Sequence, residues 1–289
     1  MQTSFNRIGL FIRKDDPVME NAVIQVCKFL ESQYVRLYTN EPLSFLPALQ
    51  VLSVHDFPEH CDLTIAIGGD GTMLSASRAL AGSNLPIVGI NVGRLGFLAD
   101  VTLPNLEQQL QLILSGHYRD DSRFLLEASI NDVKGSAGIA MNDVVIHAHQ
   151  RLQMIEFETY INGRFLNSQR ADGLVIATPT GSTAYAMSAG GPILDVDLDA
   201  IVLTSVCPHT LSNRPLVIAA SSQIDIMLSE HNTTTAMVTC DGRAGHLLQP
   251  GDTMRVVRHS DRIRLLHLEN HDHYSILRAK LEWGRKLTC

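Results

Sequence analysis

Leu63-Thr64-Ile65-Ala66-Ile67 runs directly into Gly68-Gly69-Asp70-Gly71-Thr72, and Met73 to Ala81 then carries a helical pattern. This strand, glycine turn and helix belong to a parallel sheet whose strand ends face a ligand crevice. Glycines there let the backbone approach phosphates and take unusual dihedrals. An aspartate set between glycines would repel phosphate, so it holds a metal, accepts a proton or binds a sugar hydroxyl. The bland alternative is a plain turn, for which Asp and Gly are ordinary residues. Two familiar phosphate-binding patterns are missing. Leu74 stands where Gly-x-Gly-x-x-Gly needs its third glycine, and no Gly-Lys dipeptide occurs for a Walker loop.

The first part of the chain alternates strands and helices. Arg7 to Ile12 reads as a buried strand. Asp16-Pro17 supplies an N-cap and a first-turn proline, and Val18, Ala22, Val26, Cys27 and Leu30 follow at helical spacing. Val35 to Tyr38 and Pro86 to Ile90 read as further strands. Pro104 to Leu114 reads as a helix, with Gly116 just beyond its end. Such alternation predicts a parallel sheet covered on both faces.

After about Arg119 the rhythm changes to short strands. They are Leu125 to Ile130, Gly138 to His147, Gln153 to Ile161, Leu174 to Ala177, Ile201 to Ser205 and Leu216 to Ile218. Ile224 to Leu228, Ala236 to Thr239, Met254 to Val257 and Ile263 to Leu268 continue the series. Asn162-Gly163 between two runs marks a tight hairpin. Regular short strands predict an antiparallel sandwich. Tyr274 to Trp283 returns to a helical pattern. The expected architecture is an α/β domain with a Rossmann-like parallel sheet over 1–118, followed by an all-β, sandwich-like domain over 119–269. Residues 270–289 are expected to pack back on the first domain.

Composition narrows the function classes. Lys and Arg number 23 against 30 Asp and Glu, a net charge of −7, which disfavours a general nucleic-acid binder. A small phosphorylated ligand needs only a local basic pocket. The five cysteines are widely spaced with no Cys-x-x-Cys, which fits a reducing compartment. Ile8 to Ile12 is quickly closed by Arg13-Lys14-Asp15-Asp16, too short for a signal peptide, and no apolar stretch approaches a membrane span. The expectation is a cytoplasmic protein without membrane or nucleic-acid partners. Twelve histidines are scattered; His147 with His149, and His271 with His273, read as structural or solvated, and no dedicated metal cluster stands out.

Two further places concentrate polar chemistry. Asn142-Asp143 interrupts the apolar run Ile139 to Ile146, which is costly unless both groups find partners; a bulge or strand end is the simpler reading. Arg170-Ala171-Asp172-Gly173 precedes a short strand and then a stretch from Thr178 to Pro192 dense in hydroxyls and glycines. Such a loop offers N–H groups and hydroxyls to anionic or polyhydroxyl ligands.

In this order and spacing the three places resemble the NAD kinase family. The resemblance rests on Gly68-Gly69-Asp70-Gly71, on Asn142-Asp143 for the family's Asn-Glu/Asp pair, and on Asp172-Gly173 through Ser188. Asn91, Gly93, Leu95-Gly96-Phe97-Leu98 and Phe124-Leu125-Leu126-Glu127 are similar to family segments as well. The likeness runs over most of the chain. Gly-Gly-Asp-Gly alone is shared with lipid kinases and phosphofructokinases.

The resemblance implies transfer of the ATP γ-phosphoryl group to the 2′-hydroxyl of the NAD adenosine ribose, giving NADP. It also implies a homo-oligomer, a tetramer, with the NAD site close to a subunit interface. Asp70 is the candidate general base: an aspartate of ordinary acidity is ionised at neutral pH, and the loose transition state of phosphoryl transfer lets a weak base suffice. Gly68, Gly69 and Thr72 would form the phosphate loop for ATP, and Gly71 would allow close approach. Asn142 and Asp143 would hold the ribose, base or phosphate groups of NAD, and Asp172 its nicotinamide part. Thr183, Ala184, Tyr185, Ala186, Met187 and Ser188 would line the NAD pocket, joined by Gln153 and Arg243. Arg170 is the candidate for selecting NAD over NADH, with a surface ion pair as the alternative. Mg2+ or another divalent cation is expected to arrive bound to ATP. Arg243 is a departure, since the family often has Cys-Asp-Gly-Gln where this chain has Cys240-Asp241-Gly242-Arg243.

Three other classes have weaker support. A lipid kinase would want an exposed apolar or basic amphipathic surface, which the sequence lacks. A dinucleotide sensor could dispense with Asp70. A dehydrogenase would want the dinucleotide fingerprint that Leu74 breaks.

Overall fold

The computed structural model describes residues 4–13, 17–94, 96–149, 153–243 and 245–283. The chain divides into two units, Met1–Ser122 with Arg262–Cys289, and Arg123–Asp261.

The first unit is built on β1 (Arg7–Ile12), α1 (Pro17–Ser32), β2 (Arg36–Thr39), β3 (Gln50–Val51), α2 (Phe57–His60) and β4 (Leu63–Gly68). It continues through α3 (Asp70–Ala79), β5 (Ile87–Asn91), β6 (Val101–Thr102) and α4 (Leu106–Leu114). The strands lie in the order β3-β2-β1-β4-β5, all parallel. Every residue of β4 and β5 is buried. Strands covered on both faces read as unbroken apolar runs, which is why these were legible as strands. Ile8 and Leu10 of β1 pack with Val23, Val26 and Leu30 of α1 and with Leu110 and Ile113 of α4. Asp16, read as an N-cap, lies outside the described residues.

The second unit is antiparallel. The chain enters it along β7 (Tyr118–Ile130), followed by β8 (Val133–Ala140), β9 (Asp143–Ala148), β10 (Ile155–Ile161), β11 (Arg164–Ala171) and β12 (Gly173–Ala177). Then come the single turn α5 (Tyr185–Ser188), β13 (Ala200–Val206), β14 (Leu216–Ala219), β15 (Ile224–Leu228), β16 (Ala236–Cys240) and β17 (His246–Leu248). β18 (Thr253–Leu268) leads back to the first unit, where Leu265 pairs with Ile87 of β5, and α6 (His273–Leu281) follows. One sheet has the order β14-β13-β12-β9-β16-β17. The other includes β11-β10-β15 and the first part of β18, where Ile224 pairs with Val256. Asn162 and Gly163 take φ of 51° and 74°, the doubly left-handed turn that joins β10 to β11.

The sandwich core sits between these sheets. Phe157, Ile226, Met254 and Val256 meet Val144, Ile146, Leu174 and Ile176 there. The other face of β12 and β9, carrying Val145, Val175 and Ala177, packs with Ala186 and Leu194. β12 is therefore buried on both faces.

Several strand boundaries differ from the sequence reading: β7 begins at Tyr118 and not Leu125, β10 begins at Ile155 and not Gln153, and two strands are divided differently. Gly138 to His147 is not one strand but β8 and β9, broken at Met141 and Asn142. The backbone N–H groups of Met141, Asn142 and Asp143 donate to the Asp241 carboxylate instead of to a ladder. Met254–Val257 and Ile263–Leu268 are in turn one continuous strand, β18. The exposed residues Ser260, Asp261 and Arg262 between them interrupt the apolar pattern without breaking the extended backbone.

Candidate active site

In the first unit the chemistry gathers at the carboxyl ends of the parallel strands, where open α/β sheets place ligands. β4 ends at Gly68, α3 begins at Asp70, and Gly69 is its N-cap residue. A methyl group on Gly68 would lie 2.3 Å from Thr72 Oγ1, so the turn closes only around a glycine. Thr72 is buried against that strand end. A methyl on Gly69 would touch nothing within 4 Å, and one on Gly71 would meet Arg13 Nη1 at 3.4 Å. The backbone on either side of Asp70 is thus bare, with a guanidinium beside it at the end of β1.

The Asp70 carboxylate is fixed from the other side. Phe97 N–H donates to its Oδ1 and Oδ2 at 3.0 and 2.9 Å, and Leu98 N–H donates to Oδ1 at 3.1 Å. A Cβ on Gly96 would fall 2.2 Å from Asp70 Oδ1. Gly96 is therefore the residue that admits the carboxylate to these amides. Asn91, at the end of β5, shapes the same loop: its side chain accepts from Gly93 N–H at 2.9 Å and donates to the Arg94 carbonyl at 2.8 Å.

In the second unit Asn142 and Asp143 stand where β9 begins. Asp241, in a left-handed conformation (φ 50°) just past β16, takes three N–H groups from them and Met141, the shortest at 2.8 Å from Asn142. Asp241 N–H donates back to the Asp143 carbonyl at 2.9 Å. Asp143 is 5% exposed. Burial, and then the neighbouring Asp241 charge, push its carboxyl up to about 7, although the Tyr185 backbone N–H donates to it. This carboxyl changes its charge near neutrality.

The hydroxyl-rich loop is stapled to the same place. Thr178 N–H donates to the Asn142 carbonyl at 2.9 Å, and Thr178 Oγ1 donates to the Met141 carbonyl at 2.6 Å. A Cβ on Gly181 would sit 2.1 Å from the Asn142 oxygen, so the two backbones touch. Ser182 Oγ donates to the Pro179 carbonyl at 2.6 Å and accepts Leu194 N–H at 2.9 Å. Buried Arg123 donates to Thr180 Oγ1 at 3.1 Å.

Residues 8–118 match the family model for the ATP-NAD kinase N-terminal domain, and 141–268 match that for the ATP-NAD kinase C-terminal domain. The chain belongs to the NAD kinase family. The NAD kinase of Nitrosococcus oceani is 51% identical over 99% of this chain and 100% of its own length. Among solved structures, yeast NADH kinase complexed with NADH superposes with a TM-score of 0.87 at 24% identity, covering 98% of this chain and 90% of its own. An NAD kinase from Archaeoglobus fulgidus in complex with ATP gives a TM-score of 0.77 at 22% identity, covering 96% and 98%. Both likenesses speak to the fold: the parallel α/β part followed by the antiparallel part expected from the sequence is the NAD kinase fold. No helix among the described residues is long and apolar enough to cross a membrane.

Within this family frame the sequence-derived residues fall into separate groups. Asn142, Asp143 and Tyr185 come together, and Arg243 follows close behind Asp241 in the turn that caps them. Arg170 and Asp172 do not join them. Asp143 pairs with Ala177 at one end of β12 and His147 pairs with Gly173 at the other. Four residues of extended chain separate these ends by about 13 Å. Arg170 and Asp172 are exposed at the far end, with Arg170 opposite Glu156 of β10. Gln153 is exposed just ahead of β10.

The pocket-lining residues also differ among themselves. Tyr185 and Ser188 are exposed, and Ala184 and Met187 are half-buried. Ala186 is fully buried with Val175 and Ala177, so its side chain is core and only its backbone is available to a ligand. The Thr183 hydroxyl donates to the Thr180 carbonyl at 3.2 Å and holds the turn.

Three residues were missed from sequence. Arg13 carries a signal, a cation immediately after a buried strand that ends beside the glycine turn. Asp241 carries one too, an Asp-Gly pair closing a strand. Arg123 carries none, because a buried arginine inside an extended run is indistinguishable from a surface one.

Proposed function

We propose that this chain is an ATP-dependent NAD kinase that makes NADP. The NAD 2′-oxygen forms the new bond to the γ-phosphorus of ATP, the bond from that phosphorus to the ADP oxygen breaks, and the hydroxyl proton passes to Asp70. One observation carries the reading. Asp70 is the carboxylate of a glycine turn at a parallel-strand end, with bare backbone on both sides and its oxygens oriented by two amide N–H groups. Those amides hold it aimed, and a loose transition state asks little of its basicity.

The remaining roles follow from position. Gly68, Gly69 and Thr72 form the phosphate turn, with the Arg13 guanidinium beside Gly71 as a phosphate partner. Asn142 and Asp143, locked by Asp241, hold the ribose side of NAD, and Tyr185 offers an exposed ring to its base. Asp172 meets the nicotinamide end, and Arg170 discriminates NAD from NADH. We assign phosphate handling to 1–118 with 270–289, and NAD recognition to 119–269.

The divalent cation, magnesium or another, enters as the ATP complex, that is, as part of the substrate. The carboxylates of Asp70 and Asp241 are already engaged by backbone N–H groups, and Asp143 is buried, so they do not form an open oxygen cage for a resident magnesium ion. The active form is a cytoplasmic homo-oligomer, a tetramer, on the strength of the family resemblance.

The test is product identification. Purified protein with NAD, ATP and magnesium is expected to yield a dinucleotide that an NADP-specific dehydrogenase accepts and whose new phosphomonoester maps to the 2′ position. Absence of any phosphorylated dinucleotide, with NAD still bound, would reject the kinase in favour of a sensor.

A further inference from the structure

Asp100, His267 and His271 converge inside the first unit although they lie far apart in sequence. His267 Nδ1 is 2.7 Å from Asp100 Oδ2, and His271 Nδ1 is 2.9 Å from Asp100 Oδ1. The two imidazoles stack with centroids 4.1 Å apart. The side chains are 2%, 4% and 10% exposed for His267, His271 and Asp100. One donor atom from each lies within 4.8 Å of the others. On the far side of the His267 ring, Nε2 is buried without a hydrogen bond, 3.5 Å from Asp121 Oδ2. None of these groups belongs to the proposed chemistry at Asp70.

We propose that Asp100, His267 and His271 form a site for a borderline divalent cation of the zinc type. The charge arithmetic favours it. The Asp100 carboxylate is buried against both imidazoles, and a buried charge is costly unless compensated. Protonating both stacked rings would place like charges about 4 Å apart. A single divalent cation on Asp100 Oδ, His267 Nδ1 and His271 Nδ1 offsets the buried carboxylate with both rings uncharged. That binding requires the Nε2–H tautomer of His267, which points its proton at Asp121. A carboxylate behind a ligating imidazole is the usual outer support of such sites, and it gives the orphaned Nε2 its partner. Two nitrogens and one oxygen suit zinc, cobalt or nickel over magnesium or calcium. With bonds of about 2.0–2.1 Å and tetrahedral angles the donors would sit about 3.3 Å apart, a spread of about half an ångström from the distances seen. Water completes the coordination. The cation would tie the end of β18 and the turn before α6 to the segment that runs from Phe97 to Asp100.

The test begins with the full-length protein stripped by a chelator and titrated with Zn2+ by calorimetry and with Co2+ by visible absorption. One saturable equivalent is expected, with cobalt ligand-field bands and a rise in Tm. His271→Ala and Asp100→Asn should lose the equivalent, and Asp121→Asn should weaken it by about 10–100-fold. Far-ultraviolet circular dichroism reports whether each variant folds. Anomalous scattering at the zinc edge from wild-type crystals locates the ion with no variant at all. No saturable uptake by the wild type, an ion located elsewhere, or unchanged uptake by folded His271→Ala and Asp100→Asn would overturn the proposal.

Discussion

Asp241 accepts the backbone N–H of Asp143 at 3.3 Å and returns its own N–H to the Asp143 carbonyl at 2.9 Å. The two acids are thereby held as neighbours, and the more deeply buried of them, Asp143, takes up its proton near neutral pH. Burial first, and the Asp241 charge second, set it at about 7, against 3.8 for an ordinary aspartate.

Stability should therefore fall as pH rises between about 4 and 7. In that window the folded chain binds the Asp143 proton more tightly than the unfolded chain, so folding is favoured below it and the advantage disappears above it. The size expected is roughly 2–4 kcal/mol. Denaturant titrations across this range should show the slope in wild type and a flatter profile in Asp143→Asn; equal slopes would contradict the assignment.

Gly96→Ala should damage turnover more than stability. The added methyl falls 2.2 Å from Asp70 Oδ1, and the carboxylate must leave the amides of Phe97 and Leu98. A fall in kcat of at least about tenfold, roughly 1.4 kcal/mol of barrier, is expected with KM for NAD little changed. Wild-type kcat in the folded variant would show that the tether is dispensable.

Gly181→Ala should instead destabilise the fold. Its methyl would meet the Asn142 carbonyl at 2.1 Å, backbone against backbone with no flexible side chain to yield. About 1–3 kcal/mol is expected, read as a lower midpoint in chemical denaturation at unchanged m-value.

Arg170→Gly should change the ratio of kcat/KM for NAD over NADH and leave Tm within about a degree or two, since the side chain is exposed. An unchanged ratio would return Arg170 to the role of a surface ion-pair partner of the Glu156 strand.

Much of this architecture was legible because burial on both faces leaves a plain signature. β4 and β5 are buried throughout and mostly apolar, and the Gly68-Gly69-Asp70-Gly71 turn starts on the last residue of β4. Asn162-Gly163 announced its hairpin for an equally local reason, two residues tolerant of positive φ. What escaped depends on partners distant in sequence. The break between β8 and β9 is imposed by Asp241, about a hundred residues away. Ala186 reads as a loop residue until β12 is seen to carry Val175 and Ala177 toward it. His271 reads as solvated beside His273, whereas its partner is Asp100, 171 positions earlier. Local pattern reports which element forms and which face is buried; pairing between distant polar groups leaves no period to detect.

The central claim is that Asp70 takes the 2′-hydroxyl proton of NAD. The direct measurement is the rate of NADP formation from NAD, ATP and magnesium by wild type beside Asp70→Asn, whose amide oxygen can still accept from Phe97 and Leu98. The account predicts turnover by wild type and a loss of at least about a hundredfold in kcat for the variant, with its Tm close to that of wild type. NADP formation by Asp70→Asn at the wild-type rate would contradict it.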